Sequence, residues 1–305
     1  MKKNTSFTLI ELLVVIVIIG VIAGVIIVTT TSSIGKANIT KLKVFEESVA
    51  NNLAANMVSR WKLDDVIETN KTPDAWGNNK GTLYFDSLTP GAGDSGTSGP
   101  MSEANCISGT CFKFDGDDDY ISMGVIFPQY NILSLSVWVY PTGSKEKTVH
   151  GASASSYSKH SFNIGIDNAN KAYFRYLWDD SGTTTSVTIQ GPNINLNQWN
   201  NLVVVFNQIE NYVLFYVNGS KFIGNVDFLE KPIRLSPELQ DYNIGRLGGA
   251  TTKFNGLIDD VRIYDAALSS SQIKQNYIAG LNSLLSKGLI SEGEYNERIE
   301  SLSQK

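Results

Sequence analysis

Residues 201–224 read NLVVVFNQIENYVLFYVNGSKFIG and decide the fold class of the chain. Residues 201–206 and 212–217 are short apolar and aromatic runs of the kind that β-strands favour. Asn218-Gly219 connects the second run to residues 220–224, and this dipeptide is a strong short-range signal for a β-hairpin. The stretch therefore predicts short antiparallel strands joined by tight turns.

The same pattern extends from Trp61 to about Ile263. Turn residues interrupt it repeatedly and no helical pattern lies between the strands, which is typical of an antiparallel β-sandwich or jelly roll. The predicted fold class is therefore mainly β, with helices at the two ends of the chain. Further strand-like runs lie at residues 112–114, 134–140, 172–178 and 186–190.

The composition of the 305-residue chain is that of a folded protein, with 42% hydrophobic and 18% charged residues. Its formal net charge is −5. A general nucleic-acid binder needs a basic surface that displaces counterions from phosphate, so we expect no nucleic-acid partner.

An apolar segment precedes the β region. Thr8 and Glu11 are the polar residues that interrupt it between residues 7 and 28, and at ~1.5 Å per residue its length matches the thickness of a bilayer core. We therefore predict a membrane helix. Apolar residues then recur every three or four positions from Ile39 to Met57, which predicts an amphipathic helix, with a loose stalk as the alternative.

Glu11 needs an explanation, because a carboxylate in hydrocarbon costs roughly 2.5–3.5 kcal/mol. Its context, FTLIELLVVIVIIGVIAG at residues 7–24, resembles the N-terminus of type IV pilins and pseudopilins. The resemblance implies that prepilin peptidase cuts between Ser6 and Phe7 and methylates Phe7, and that Glu11 pairs with this amine on a neighbouring subunit. The family usually has glycine before the cut, so Ser6 departs from its pattern. An ordinary signal anchor and a cleaved secretory signal are the alternatives.

Several stretches of the β region resemble the laminin-G-like or concanavalin-A-like jelly-roll family. They are residues 60–83, 112–124, 135–141, 197–206, 211–219, 244–249 and 254–268. The resemblance implies a fold that serves adhesins, carbohydrate-binding modules and enzyme appendages alike. The predicted domains are a leader peptide at 1–6, a transmembrane and amphipathic helix at 7–59, a jelly roll at 60–268 and a helical tail at 269–305.

The tail carries its own helix signals. Ser269 or Ser270 is expected to cap a first helix, Gly288 to end it, and Ser291 with Glu294 to form a capping box for a second helix. The tail resembles a short helical module at the C-termini of otherwise unrelated bacterial proteins. A helical hairpin that packs on its own sandwich is the alternative.

The two cysteines, Cys106 and Cys111, are separated by four residues. Zinc normally needs four ligands, and His150 and His160 lie far away in the sequence, so the pair is a weak metal signal. In an exported protein we expect a local disulfide between them, with two reduced thiols as the alternative.

The sequence DGDDD at residues 115–119 suggests a calcium site, because hard cations take clustered carboxylate oxygens. The jelly-roll resemblance adds Asp74 and Asp259, and alternation along the last strand predicts that Asp259 points inward and needs a partner. A tight turn whose aspartates accept from backbone amides is the alternative. The candidate calcium ligands are Asp74, Asp115, Asp117, Asp118 and Asp259.

Aromatic residues are the candidates for stacking on sugar rings. Trp138 and Trp199 are expected to be buried, whereas Trp178 and Tyr157 lie in polar surroundings and are the candidate ligand-binding residues. The strand motif E-x-D-x-E of hydrolases with this fold is absent, as are G-x-S-x-G, HExxH and P-loop motifs. We therefore predict binding rather than catalysis, and not an enzyme.

Together these observations predict a minor type IV pilin or pilin-like surface protein that displays a lectin-like domain for adhesion or glycan binding. Its expected partners are other pilin subunits, prepilin peptidase, the cytoplasmic membrane and an extracellular glycan or protein. It should cross the cytoplasmic membrane once before assembly and then lie outside the cell in a pilus or pilus-like filament. A structural pilin or secretion pseudopilin without a ligand, and a tethered carbohydrate-active enzyme, are the alternatives.

Overall fold

The computed structural model describes residues 54–89, 93, 98–124, 131–143, 147–154, 161–180, 183–222, 239–247 and 252–302. Ser6, Phe7, Glu11 and the predicted membrane helix lie outside the described residues. Within the part of the chain that is described, no helix has the length and apolar character needed to cross a membrane.

The described residues form sixteen β-strands and, after them, two α-helices. The first strand begins at Met57, three residues before the predicted start of the jelly roll. The strands are β1 (Met57–Trp61), β2 (Lys71–Thr72), β3 (Gly81–Tyr84), β4 (Gly99–Pro100), β5 (Phe112–Asp115), β6 (Tyr120–Gly124), β7 (Ile132–Pro141), β8 (Lys147–Ala154), β9 (Ser161–Ile166), β10 (Lys171–Asp180), β11 (Thr183–Asn193), β12 (Asn200–Asn207), β13 (Tyr212–Val217), β14 (Ser220–Phe222), β15 (Leu239–Ile244) and β16 (Asn255–Tyr264). The helices are α1 (Ser270–Ser286) and α2 (Glu292–Ser301).

The strands pair into two antiparallel sheets, which confirms the predicted sandwich. Sheet A has the order β14-β13-β12-β7-β16-β5-β4, with β1 paired to β16, and sheet B has the order β11-β10-β9-β8-β15-β6-β3-β2. The predicted hairpin forms between β13 and β14, where Val217 pairs with Ser220. Asn218 and Gly219 both have positive φ, +52° and +73°, as a type I′ turn requires.

The main core lies between the two sheets. Alternate side chains of each strand point into it, among them Val137 and Val139 from β7, Phe206 from β12 and Ile121 from β6. Because β-strands alternate, Trp138 and Tyr140 of β7 point to the other side of sheet A. That outer face is the one that positions the candidate site.

The helical tail covers the outer face of sheet A. Trp138 is stacked on Tyr277 of α1, with ring centroids 5.6 Å apart, and a second apolar cluster joins Leu257, Leu281 and Trp199 around them. Trp138 and Trp199 are therefore buried as predicted, but under the tail rather than between the sheets. The alternative for the tail, a helical hairpin that packs on its own sandwich, is therefore the arrangement that the structure shows.

The capping residues predicted in the tail lie at the ends of its two helices. Ser269 caps α1 and exchanges side-chain and backbone hydrogen bonds with Gln272, which is a complete capping box. Gly288 follows with φ of +71°, a conformation that glycine adopts without strain at a helix end. Ser291 accepts from the Glu294 amide at the start of α2, while the Glu294 carboxylate accepts from Arg298 instead of completing a second box.

Candidate functional site

A pocket of about 450 Å³ lies between the outer face of sheet A and the helical tail. This volume falls in the range of about 300–1,000 Å³ that is typical of ligand sites. Strand β7, strand β16, the connection before β12, the α1–α2 connection and α2 all contribute to it. The pocket is lined by Asn105, Tyr140, Asn197, Gln198, Trp199, Leu257, Leu289, Ile290, Glu294 and Arg298.

Aromatic and aliphatic side chains form the apolar wall of this pocket. Tyr140 and Trp199 meet edge to face, with ring centroids 5.8 Å apart. Tyr140 is half-buried, and across the β7–β16 pair it stands opposite Leu257. The Trp199 indole N–H donates to the Asn105 carbonyl at 3.0 Å, so the polar end of this buried ring is satisfied.

Helix α2 supplies the charged part of the pocket. Glu294 and Arg298 lie one helical turn apart, and Arg298 Nη2 donates to Glu294 Oε1 at 2.6 Å. Arg298 Nη1 donates to the Trp199 carbonyl at 2.9 Å, and Nη2 also donates to Gln198 Oε1 at 3.4 Å. The guanidinium therefore connects α2 to the connection before β12 and holds the pocket together.

The connection that carries Asn197 and Gln198 is also fixed by the backbone. The Asn197 amide donates to the Pro141 carbonyl at 2.9 Å, and Asn197 has φ of +56°. Asn200 anchors the same connection, because its Nδ2 donates to the carbonyls of Asn195 and Gln198 at 2.9 and 2.8 Å. The amide side chains at the rim therefore extend from a rigid backbone.

The predicted disulfide is confirmed and supports this site. Cys106 and Cys111 are bonded at 2.05 Å and both are buried. Lys287 Nζ donates to the Cys106 carbonyl at 3.0 Å, and Ser283 of α1 donates to the Ile107 carbonyl. The disulfide loop is thereby fixed to α1, directly after Asn105 of the pocket.

The described lining of the pocket does not include the predicted sugar-stacking residues. Trp178 belongs to β10, where its backbone pairs with Thr185 of β11 in sheet B. Tyr157 lies outside the described residues. A ligand role for these two residues stays a prediction.

The acidic sequence after β5 forms a compact turn. Carboxylate oxygens of Asp115, Asp118 and Asp119 lie within 4.8 Å of one another. Asp115 Oδ1 accepts from the amides of Asp117 and Asp118 at 2.7 and 3.4 Å, and Asp119 Oδ2 accepts from the Asp115 amide at 2.7 Å. Burial, together with the nearby Asp115 carboxylate, raises the pKa of Asp119 to about 7. These contacts are those of the alternative to a calcium site, a tight turn whose aspartates accept from backbone amides.

The other two calcium candidates have separate partners. Asp74 accepts from the amides of Arg60, Trp76 and Asn79 at 2.9, 3.0 and 3.1 Å, so it fixes its own loop. Among the described residues, the close acidic group contains neither Asp74 nor Asp259. A calcium ion shared by all five candidates stays a prediction.

Asp259 is fully buried, but the prediction that it points into the sandwich is wrong. Val261 and Ile263 point into the main core, whereas a register shift between Asp259 and Arg262, where Asp260 has φ of +47°, leaves Asp259 on the outer face of sheet A, paired with Trp138. Its Oδ2 accepts from the amides of Ile107 and Ser108 at 2.8 and 3.2 Å, so its partner is the disulfide loop. Burial, and after it the adjacent Asp260 carboxylate, raises the pKa of Asp259 well above its usual value. This carboxyl group is a structural support of the loop beside the pocket.

Tyr140, Asn197 and Arg298 are site residues that sequence reasoning missed. Two signals were present: alternation in LSVWVYP puts Trp138 and Tyr140 on one face, and Glu294 and Arg298 are four residues apart on a helix. Neither signal shows that the strand and the helix meet. Within the described lining, Glu294 is the one carboxylate, whereas glycoside hydrolysis uses two.

Comparisons with known proteins agree with the fold. A family model for the concanavalin A-like lectin/glucanases superfamily matches residues 115–274, and one for the prokaryotic N-terminal methylation motif matches residues 1–27. No curated protein matches the chain.

Three solved structures illustrate the similarity. Trypanosoma rangeli sialidase has a TM-score of 0.51 at 14% identity over 78% of this chain and 38% of its own, so the chain spans well under half of that protein. A second structure is domain 4 of AbnA, a GH43 extracellular arabinanase from Geobacillus stearothermophilus, in complex with arabinotriose. It has a TM-score of 0.50 at 20% identity over 73% of this chain and 98% of the domain. The receptor binding domain of botulinum neurotoxin mosaic serotype C/D has a TM-score of 0.51 at 16% identity over 75% of this chain and 52% of its own. At these identities the likeness concerns the fold alone.

Proposed function

We infer the function of this chain from its family: it belongs to the concanavalin A-like lectin/glucanases superfamily and carries the prokaryotic N-terminal methylation motif. The motif implies processing by prepilin peptidase and assembly with other pilins. We propose that the chain is a pilin-like subunit that carries the sandwich to the cell surface, where the sandwich binds glycans and mediates adhesion.

The pocket beside the tail is the observation that carries this proposal. It combines an apolar wall, built around Tyr140 and Trp199, with amide, carboxylate and guanidinium groups at its edge. A sugar ring has one apolar face of C–H groups and a periphery of hydroxyls that both donate and accept, so it matches such a mixed wall. The arabinotriose complex of AbnA domain 4 supports the proposal by analogy of fold.

A glycan array with the full chain in detergent tests the proposal. We expect binding of a defined set of glycans, and loss of at least tenfold in affinity in Tyr140→Ala, which removes the half-buried ring of the wall. Tyr84→Ala is the matched control, because Tyr84 is an exposed tyrosine of sheet B, 46% accessible, that does not line the pocket. A folded chain that binds no glycan would favour a structural pilin without a ligand. Turnover of a bound polysaccharide would favour a tethered enzyme.

A further inference from the structure

We propose that the pocket between sheet A and the tail takes uncharged sugars and rejects sugars that carry a carboxylate, and that Glu294 sets this preference. The inference rests on the proposed function, because it specifies the ligand of the same pocket. It concerns the balance between the charges of Glu294 and Arg298. Both residues belong to α2, so the sandwich alone does not set this balance.

The first observation is that the described lining of the pocket carries no net charge. Glu294 and Arg298 are its charged residues, and they form an ion pair of 2.6 Å. Their side chains are 33% and 13% exposed, so the guanidinium is more protected from water than a typical surface arginine. Partial burial reduces screening and makes the balance between the two charges important for any ligand that enters.

The second observation is that the Arg298 guanidinium is already held by acceptors of the protein. Besides Glu294, it donates to the Trp199 carbonyl and to Gln198 Oε1. Arginine recognises a carboxylate through two parallel N–H···O hydrogen bonds from its planar guanidinium group. A carboxylated ligand would have to displace these protein acceptors, the part-buried Glu294 carboxylate and Trp199 carbonyl among them, from the guanidinium, and the hydrogen bonds lost would offset those gained.

The third observation is the position of Glu294 beside the Arg298 guanidinium. One of its carboxylate oxygens accepts from Arg298, and the other oxygen is a further acceptor for a ligand. A sugar hydroxyl can donate to such an oxygen, whereas a ligand carboxylate is repelled by it. The amides of Asn105, Asn197 and Gln198 can bond to hydroxyls as donors or acceptors. The polar groups of the pocket therefore match a neutral polyhydroxylated ring.

A matched pair of ligands tests the inference: glycans that end in a hexose, and the same glycans that end in the corresponding hexuronic acid. With the full chain in detergent, we expect the hexose forms to bind at least tenfold more tightly than the uronic acid forms. Glu294→Gln keeps the size of the side chain but leaves Arg298 without its anionic partner. This variant should lose the preference or reverse it in favour of the uronic acid. Glu297→Gln is the matched control, because Glu297 is an exposed residue of the same helix outside the pocket.

The possible outcomes separate this inference from the proposed function. Equal or tighter binding of uronic acids by the wild-type chain would overturn the neutral-sugar inference and leave glycan binding intact. A neutral preference that Glu294→Gln does not change would also overturn it, because the selection would then arise elsewhere. If a folded chain binds neither ligand set nor any glycan on an array, the proposed function itself fails. Thermal melts of each variant establish that loss of binding is not loss of folding.

Discussion

Gly280 provides a sharp test of how the tail is packed on the sandwich. It lies in α1 directly over the Trp138 ring, and an added Cβ would lie 2.1 Å from Cζ2, 2.7 Å from Cε2 and 2.9 Å from Cη2 of that ring. Trp138 is 1% exposed and stacked on Tyr277, so it has little room to move away. Gly280→Ala must therefore displace the helix or the indole.

The expected effect is the sum of two opposing terms. Alanine in a helix interior gains roughly 0.5–1 kcal/mol over glycine, and overpacking of a dense core costs roughly 1–3 kcal/mol. We expect a net loss of about 1.5 kcal/mol, which lowers the melting temperature of a chain of this size by roughly 3–6 °C. Glycan binding should weaken as well, because Leu289 and Ile290, which line the pocket, follow directly after α1.

The assay is a thermal melt of the full chain in detergent, followed by circular dichroism. Gly293→Ala in α2 is the matched control, since its added Cβ would have one contact, with Ser291 Oγ at 3.7 Å. That variant should melt at the wild-type temperature or slightly above it. If Gly280→Ala proves as stable as the wild type, α1 does not pack on Trp138 as described, and the pocket between the tail and sheet A does not have the described walls.

Three further predictions concern other parts of the chain. Burial lowers the pKa of His150 from its ordinary value of 6.5 to about 3, so between these pH values the unfolded chain binds a proton at His150 and the folded chain does not. The free energy of unfolding should therefore fall as the pH drops from 6.5 towards 3, by up to about 1.4 kcal/mol per pH unit for this group. Urea titrations should show a shallower fall in His150→Gln. Mass spectrometry of the native protein should find residues 1–6 removed and Phe7 methylated, and an intact Met1 would contradict this. The Glu11→Ala variant should enter the membrane normally but be absent from sheared filaments, and normal amounts of the variant in the filaments would contradict the role of Glu11. Millimolar calcium should raise the melting temperature over that in EDTA, and Asp118→Asn should reduce the difference; identical curves would leave the 115–119 turn without an ion.

Local features of the fold could be predicted from the sequence because each depends on residues close together in the chain. Asn218-Gly219 specified a hairpin, Ser269 or Ser270 a helix start and Gly288 a helix end, and all three features are present, with Ser269 as the cap. The disulfide between Cys106 and Cys111 was equally local. In these cases the backbone conformation that one or two residues favour decides the structure.

The pocket could not be predicted in the same way, because it depends on contacts between distant residues. Arg298 and Trp199 are 99 positions apart, and their hydrogen bond exists only because the tail covers sheet A. The partner of Asp259 was likewise hidden, because the register shift after it breaks the alternation along β16 and its acceptor role towards Ile107 spans 152 positions. Periodicity indicates which face of an element is buried, and it contains no information about which element covers that face.

Adhesion of intact cells shows whether the chain displays a glycan-binding pocket at the cell surface. Cells that carry the wild-type chain, Tyr140→Ala or Tyr84→Ala at equal surface amounts would be applied to beads coated with the neutral glycan selected on the array. Wild-type and Tyr84→Ala cells should adhere equally, and adhesion of Tyr140→Ala cells should fall at least tenfold. Equal adhesion of all three strains, or adhesion equal to that of cells without the chain, would contradict this prediction.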